Sequence, residues 1–220
     1  MAAKKGYSVR KNVLVKYQKD DSEFIIPDGV EVIGERAFAM CGNLKTVTIP
    51  DSVKRIDPYA FYFCKSLASV TIPNSVTTIG GYAFANCSSI TKIDIPESVT
   101  DLGGLPFAEC RNITNITVHS GNPVYHSDGN CLIETANKKI IYGCNNSTIP
   151  TDGSVTSIDG YAFKNCLKLT RLYIPSCITS IGRMAFDNCK NLIIVTTAGS
   201  YAAQYGKDNK IPVEITFEKD

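Results

Sequence analysis

The stretch Ile72-Pro-Asn-Ser-Val-Thr-Thr-Ile-Gly-Gly-Tyr-Ala-Phe-Ala-Asn-Cys-Ser-Ser-Ile-Thr-Lys-Ile-Asp-Ile95 decides the fold, because it is one copy of a repeat. Pro27, Pro50, Pro73 and Pro96 are 23 apart; so are Phe38, Phe61, Phe84 and Phe107, and Cys41, Cys64, Cys87 and Cys110. After an interruption the frame returns with Phe163 and Phe186, and with Cys166 and Cys189, again 23 apart. A fixed period of this length means a solenoid, in which each coil buries its apolar face against its neighbours.

Spacing assigns the parts of one coil. Leu44-x-x-Val47-x-Ile49 alternates at its end, as a short strand with one buried face does. Pro50 ends that strand, since it has no N–H to continue a ladder. Val53 and Ile56 both point inward only if the chain turns between them. The next position is Asp57 here and Gly in four of the six copies, which suits a tight turn. Ala60-Phe61-x-x-Cys64-x-x-Leu67 has apolar residues at helical offsets and predicts one or two turns of α- or 3₁₀-helix. The expected fold class is therefore α/β: six coils of about 23 residues with short strands and short helices.

The pattern I-P-x-S-V-T-x-I-G-x-x-A-F-x-x-C-x-x-L-x-x-V, repeated six times from Pro27 to Thr197, resembles the BspA-like, or Treponema pallidum-type, leucine-rich repeats. The resemblance implies a right-handed repeat fold with strands stacked side by side. It also implies a non-enzymatic interaction scaffold of bacterial cell-surface, adhesin-like type, with a protein (a host extracellular protein, for instance) or a glycan as partner.

At 220 residues, 44% apolar and 20% charged, the chain has the composition of a soluble globular protein. One leucine-rich-repeat domain, 1–220, accounts for it: an N-terminal cap at 1–26, repeats 1–4 at 27–118, a hairpin insert at 119–149, repeats 5–6 at 150–197 and a C-terminal cap at 198–220. A net charge of +2 offers no electrostatic case for nucleic acid. No apolar run approaches the length of a membrane span, so no membrane insertion is expected. No segment of signal-peptide type follows Met1 to Lys5, which leaves open a cytoplasmic chain or one whose leader has been removed. A monomer is expected.

Before the first coil, Tyr7-Ser-Val and Val13-Leu-Val-Lys-Tyr17 alternate around Arg10-Lys-Asn, which predicts a capping hairpin. In the fourth coil Leu105-Pro-Phe replaces x-Ala-Phe, so a displaced helix start is expected. In the insert, Cys131-Leu-Ile-Glu-Thr and Lys139-Ile-Ile-Tyr-Gly flank Ala136-Asn-Lys as a β-hairpin, read as a spacer covering one edge or as a functional protrusion. If Thr135 and Ile140 close it, Ile133 pairs with Tyr142 and Cys131 faces Cys144, where a disulfide depends on compartment. Ala198-Gly-Ser-Tyr-Ala-Ala-Gln-Tyr-Gly predicts a short helix ending at Gly206, and Val213-Glu-Ile-Thr-Phe217 a last strand.

Six of nine cysteines share one repeat position, with no zinc spacing among them. Stacked at about 4.8 Å per coil, they are too far apart for disulfides and read as buried free thiols. Cys177, beside Ile178, is also read as structural. The two histidines, His119 and His126, stand seven apart near Asp128 and Cys131, which is no ligand spacing. No nucleophile elbow, P-loop or dinucleotide fingerprint is present, so no enzyme, metal or cofactor is expected. The five N-x-S/T sequences, at Asn86, Asn112, Asn115, Asn145 and Asn146, include two within the repeat pattern itself and read as structural.

The partner surface is expected on the strand face. The residues between the apolar ones point outward: Thr46 and Thr48, Ser69 and Thr71, Lys92 and Asp94, Asn115 and Thr117, Arg171 and Tyr173. Affinity should concentrate on the charged and aromatic ones among Ser69, Thr71, Lys92, Asp94, Asn115, Thr117, Arg171 and Tyr173. A rival ridge lies two residues before each Phe: Arg36, Tyr59, Tyr82, Leu105, Tyr161 and Met184. The alternative functions are a structural spacer of a larger surface protein and a metal enzyme built on the insert.

Overall fold

In a stack of coils, each buried N–H must be satisfied within its own coil or by the next one. The computed structural model, which describes residues 6–217, answers this differently from a helix. In the second coil Tyr59, Phe61 and Phe63 donate to Gly81, Ala83 and Ala85 of the following coil at 3.1, 2.7 and 2.9 Å. Between them, Ala60, Tyr62 and Cys64 donate three residues back, to Asp57, Tyr59 and Phe61. Alternate amides thus close tight turns and tie coils together. A helix would spend every amide on itself.

The expected short helices are accordingly absent from the coils, and Tyr201–Asp208 is the α-helix among the described residues. Tyr59 (φ 59°) and Phe63 (φ 63°) adopt the left-handed conformation at the third position of their turns, the type II arrangement. Arg36 and Met40, Tyr82 and Asn86, Leu105 and Glu109, Tyr161 and Asn165, Met184 and Asn188 do the same in their coils. Left-handed φ disfavours a side-chain-bearing residue by about 1–2 kcal/mol. The inter-coil bonds and the packing beneath offset it. Pro106 is tolerated without any displaced helix start, because its place is one whose amide closes a local turn. Its carbonyl still accepts from Phe84 N–H at 2.8 Å.

The chain divides into two compact units, Met1–Asn112 with His119–Pro123, and Ile113–Val118 with Val124–Asp220. Residues 1–5 and 218–220 of the expected caps lie outside the described residues.

The first unit opens with the predicted hairpin, Tyr7–Arg10 against Val13–Tyr17, turning through Lys11 and Asn12 at φ 48° and 62°. Val13–Tyr17 then starts a parallel column with Val32–Ile33, Arg55–Ile56, Thr78–Ile79 and Asp101–Leu102. Leu14, Ile33, Ile56, Ile79 and Leu102 are in register along it. On the second sheet, Glu23–Ile25, Thr46–Thr48 and Ser69–Val70 pair in parallel. Between the sheets run the phenylalanines. Phe38, Phe61 and Phe84 stack at 4.8 and 5.0 Å with rings 5° and 3° from parallel, and Phe107 follows at 5.7 Å. Tyr17 closes the stack on Phe38 at 5.2 Å.

The second unit repeats this plan, and strands of the insert head its parallel column. Tyr125–Asp128, Cys131–Glu134 and Lys139–Tyr142 form an antiparallel meander. Lys139–Tyr142 then heads a parallel column with Ser157–Ile158 and Ser180–Ile181. Gly143 N–H donates to Ala162 O at 2.8 Å, as Tyr17 N–H donates to Ala37 O at 2.8 Å. Gly143 therefore takes the phenylalanine slot, and a Cβ there would lie 2.1 Å from the Phe163 ring. The hairpin register differs from expectation. Ile133 pairs with Ile140 and Leu132 with Tyr142, with a bulge between them, because the loop closes at Glu134 and Lys139. Cys131 and Cys144 carry free thiols aimed at different carbonyls, those of Thr148 and Asn130.

Phe163 stacks on Phe186 at 5.2 Å, and Tyr205 of the helix closes that stack edge-on at 6.0 Å. The helix, capped by Ser200 accepting from Ala203 N–H, runs two residues past the expected stop. Gly206 is interior, because Val213 packs where its side chain would be. Arg171–Tyr173, Ile193–Thr196 and Val213–Ile215 make the second sheet, with the predicted last strand at its edge.

Two substitutions test the stacks. Phe84→Ala, at a fully buried ring, should destabilise by about 3–5 kcal/mol in denaturant unfolding. Gly143→Ala should destabilise by about 1–3 kcal/mol through overpacking against Phe163. Gly42→Ala, where nothing lies within 4 Å of the added carbon, should leave the midpoint unchanged.

Candidate interaction surface

Strand alternation places the outward residues as expected. In the first unit Thr46, Thr48, Ser69, Thr71, Lys92 and Asp94 are exposed. In the second, Asn115 and Arg171 are exposed while Thr117 and Tyr173 are half-buried. The charged members carry partners on their own unit. Lys92 Nζ lies 3.0 Å from Asp94. The Arg171 guanidinium grips Glu214 with two hydrogen bonds of 2.5 and 2.8 Å. That pair holds the Glu214 carboxyl below, and the Arg171 guanidinium above, their ordinary ranges.

Around Arg171 the strand face is concave. A groove of about 810 Å³ is lined by Arg171, Tyr173, Val195, Glu214, Thr216 and Phe217, among others. Its far wall was not anticipated. The signal is in the last coil, where Ile193 and Val195 replace the polar outward positions of earlier coils, so the face turns apolar there.

The rival ridge is ordered too. The Arg36 guanidinium sits 4.7 Å above the Tyr59 ring, and Tyr59 stacks on Tyr82 at 5.4 Å. Lys164 covers Tyr161 at 5.3 Å. At least one face of each of these rings is thus covered by a neighbouring side chain.

The thiols do more than fill space. Cys64, Cys87 and Cys110 donate to the carbonyls of Phe38, Phe61 and Phe84 at 3.1–3.2 Å, and Cys189 donates to Phe163 O at 3.0 Å. Burial pushes Cys41 up to about 11, and Cys110 and Cys131 up to about 12. The neighbouring thiol and burial raise Cys87 and Cys166 as well. Cys177 takes the place of Ser52, Ser75 and Ser98, which donate to the carbonyl of Val30, Val53 and Val76. Its Sγ donates to Val155 O at 3.6 Å.

The histidines are engaged separately. His119 lies 3.4 Å from Glu97, and His126 contacts Thr135 at 2.8 Å. Among the described residues no three His, Cys, Asp or Glu side chains converge as metal ligands, and no helix is long and apolar enough to cross a membrane.

Because the Cys41, Cys87, Cys110, Cys131 and Cys166 thiols are held protonated in the fold, they favour the folded state up to the ordinary thiol pKa. That contribution is lost as pH rises toward their folded values. The melting temperature should be flat to about pH 8.5 and fall progressively above it. Val substitutions at Cys110 and Cys131 should flatten that fall. In native protein at neutral pH, quantitative alkylation should leave Cys64, Cys87 and Cys110 unlabelled until denaturant is added.

Similar folds are found among solved bacterial proteins. A leucine-rich cell surface protein of Faecalibacterium prausnitzii aligns at 24% identity over 88% of this chain and 75% of its own, with a TM-score of 0.52. A leucine-rich repeat protein of Eubacterium ventriosum aligns at 23% identity over 85% of this chain and 66% of its own, with a TM-score of 0.59. The T. pallidum leucine-rich repeat protein aligns at 17% identity over 96% of both chains, with a TM-score of 0.51. No curated protein matches in sequence. The model of the BspA type leucine rich repeat region matches six copies over residues 15–128 and 130–205, most of the chain; the protein belongs to the BspA-type leucine-rich-repeat family.

Proposed function

We propose that the chain is a non-enzymatic interaction module of a bacterial surface protein, and that its partner, a protein, docks on the outward strand face. The observation that carries this reading is the groove at Arg171 and Tyr173. It is concave, and Tyr173, Val195 and the exposed Arg171–Glu214 pair are among the residues that line it. Tyrosine and arginine are residue types on which binding energy concentrates. Lys92, Asp94, Ser69 and Thr71 of the first unit, and Asn115 and Thr117 of the second, serve as polar strand-face contacts of lesser weight. The Faecalibacterium relative is a cell surface protein, which supports the same setting here.

The test is a binding screen of the purified chain against arrayed secreted and extracellular-matrix proteins, with a glycan array in parallel. A protein partner should lose at least about tenfold in affinity for Arg171→Ala with Tyr173→Ala, with the cooperative unfolding transition retained. Lys92→Ala should have a smaller effect, and Tyr59→Ala with Tyr82→Ala the least. Binding abolished by the tyrosine pair and untouched by the Arg171–Tyr173 pair would move the site to the turn wall. Silence on both arrays would favour a spacer.

A further inference from the structure

The sequence Ile211-Pro-Val213-Glu-Ile215-Thr-Phe217 alternates without a break, and its last strand ends a sheet. Ile194 N–H donates to Pro212 O, and Thr216 N–H donates to Thr196 O. The two-residue period of a strand then puts the N–H and C=O of Val213 and Ile215 on the opposite side, facing away from the sheet. Edges of this kind template another strand unless they are guarded. Here the guard is partial. Pro212 precedes the strand, but Ile215 is 53% exposed and Phe217 93% exposed. The apolar stripe is therefore covered in its first half, where Ile211 is partly buried and Val213 packs on Gly206, and bare in its second.

We propose that this edge pairs with the same edge of a second copy, antiparallel, about a two-fold axis at Glu214. In that register Val213 stands opposite the mate's Ile215 and Ile215 opposite the mate's Val213. Both are hydrogen-bonded pairs that use the outward N–H and C=O groups. Phe217 falls beside the mate's Ile211, so the bare half of each stripe is laid along the covered half of the other. This self-complementarity is what an isologous contact requires, and it selects a second copy over an unrelated strand. Glu214 meets the mate's Glu214 across a non-hydrogen-bonded pair. The repulsion there is relieved because Arg171 of each copy already holds its carboxylate with two bonds. The contact shares Glu214 and Phe217 with the groove, but its hydrogen bonds come from the outward N–H and C=O groups of Val213 and Ile215, which the groove reading does not use.

Sedimentation equilibrium over about 5–500 µM should show the average mass rising from 23.9 kDa toward twice that value. Ile215→Lys with Phe217→Lys should hold the mass at the monomer over the same range, with an unchanged melting curve because both side chains are exposed. Glu214→Cys should form a crosslinked dimer under mild oxidation, and peptide mapping should find residue 214 bonded to residue 214. The Cα separation of a non-hydrogen-bonded pair, about 4.5 Å, permits that bond. Wild-type protein that stays monomeric throughout would overturn the proposal and leave the edge to a strand of other sequence. Association that survives the double lysine variant, or that gives no 214–214 crosslink, would overturn it equally.

Discussion

Everything in this fold hangs on the backbone bonds that pass from each coil to the next. The strands supply part of them, but they are only two to five residues long. The rest come from the wall of turns that carries the phenylalanine and cysteine columns. There the chain alternates a local bond with an inter-coil bond. The left-handed residues at two places per coil are the geometric consequence. Side chains reinforce the same link. Cysteine thiols bond the phenylalanine carbonyls one coil back, and the serines at 52, 75 and 98, with Cys177, bond the valine carbonyls. A cysteine serves in the column because a small, buried donor fits beneath the rings, whereas a larger side chain would part the coils.

A ladder of this kind has ends, and each unit treats them alike. An antiparallel hairpin begins the parallel column. A side chain, or a deliberate lack of one, occupies the ring slot: Tyr17 in the first unit and Gly143 in the second. Tyr205 closes the second unit's stack from the helix. Within the insert, the hairpin of Cys131–Glu134 and Lys139–Tyr142 thus heads the second unit's parallel column.

The repeat frame, the inward column, the N-terminal hairpin and the outward strand residues could all be read from the sequence, because a period of two and a period of 23 leave unambiguous marks. The helices could not be excluded that way. Ala60, Phe61, Cys64 and Leu67 have offsets that a chain of tight turns reproduces as well as a helix does. Only φ at Tyr59 and Phe63 separates the two, and no glycine stands there to announce it. The insert's register failed for a similar reason. A single bulge at Leu132 and Ile133 shifts the pairing, and no residue type marks it. Of the groove's lining, Arg171 and Tyr173 are legible in the sequence as outward strand positions. Glu214, Thr216 and Phe217 were missed because they come from a strand some forty residues on, which repeat arithmetic does not reach.

The most direct test of this architecture is the sign of one substitution. Met40 is left-handed at φ 67°, its side chain is 74% exposed, and its N–H donates to Tyr62 O at 2.7 Å. If the wall is a ladder of turns, Met40→Gly relieves strain and removes almost no packing. Stability in denaturant unfolding should then be unchanged or higher by up to about 1 kcal/mol. If the segment were helical, the same change would lower stability by about 1 kcal/mol, and that result would contradict the account.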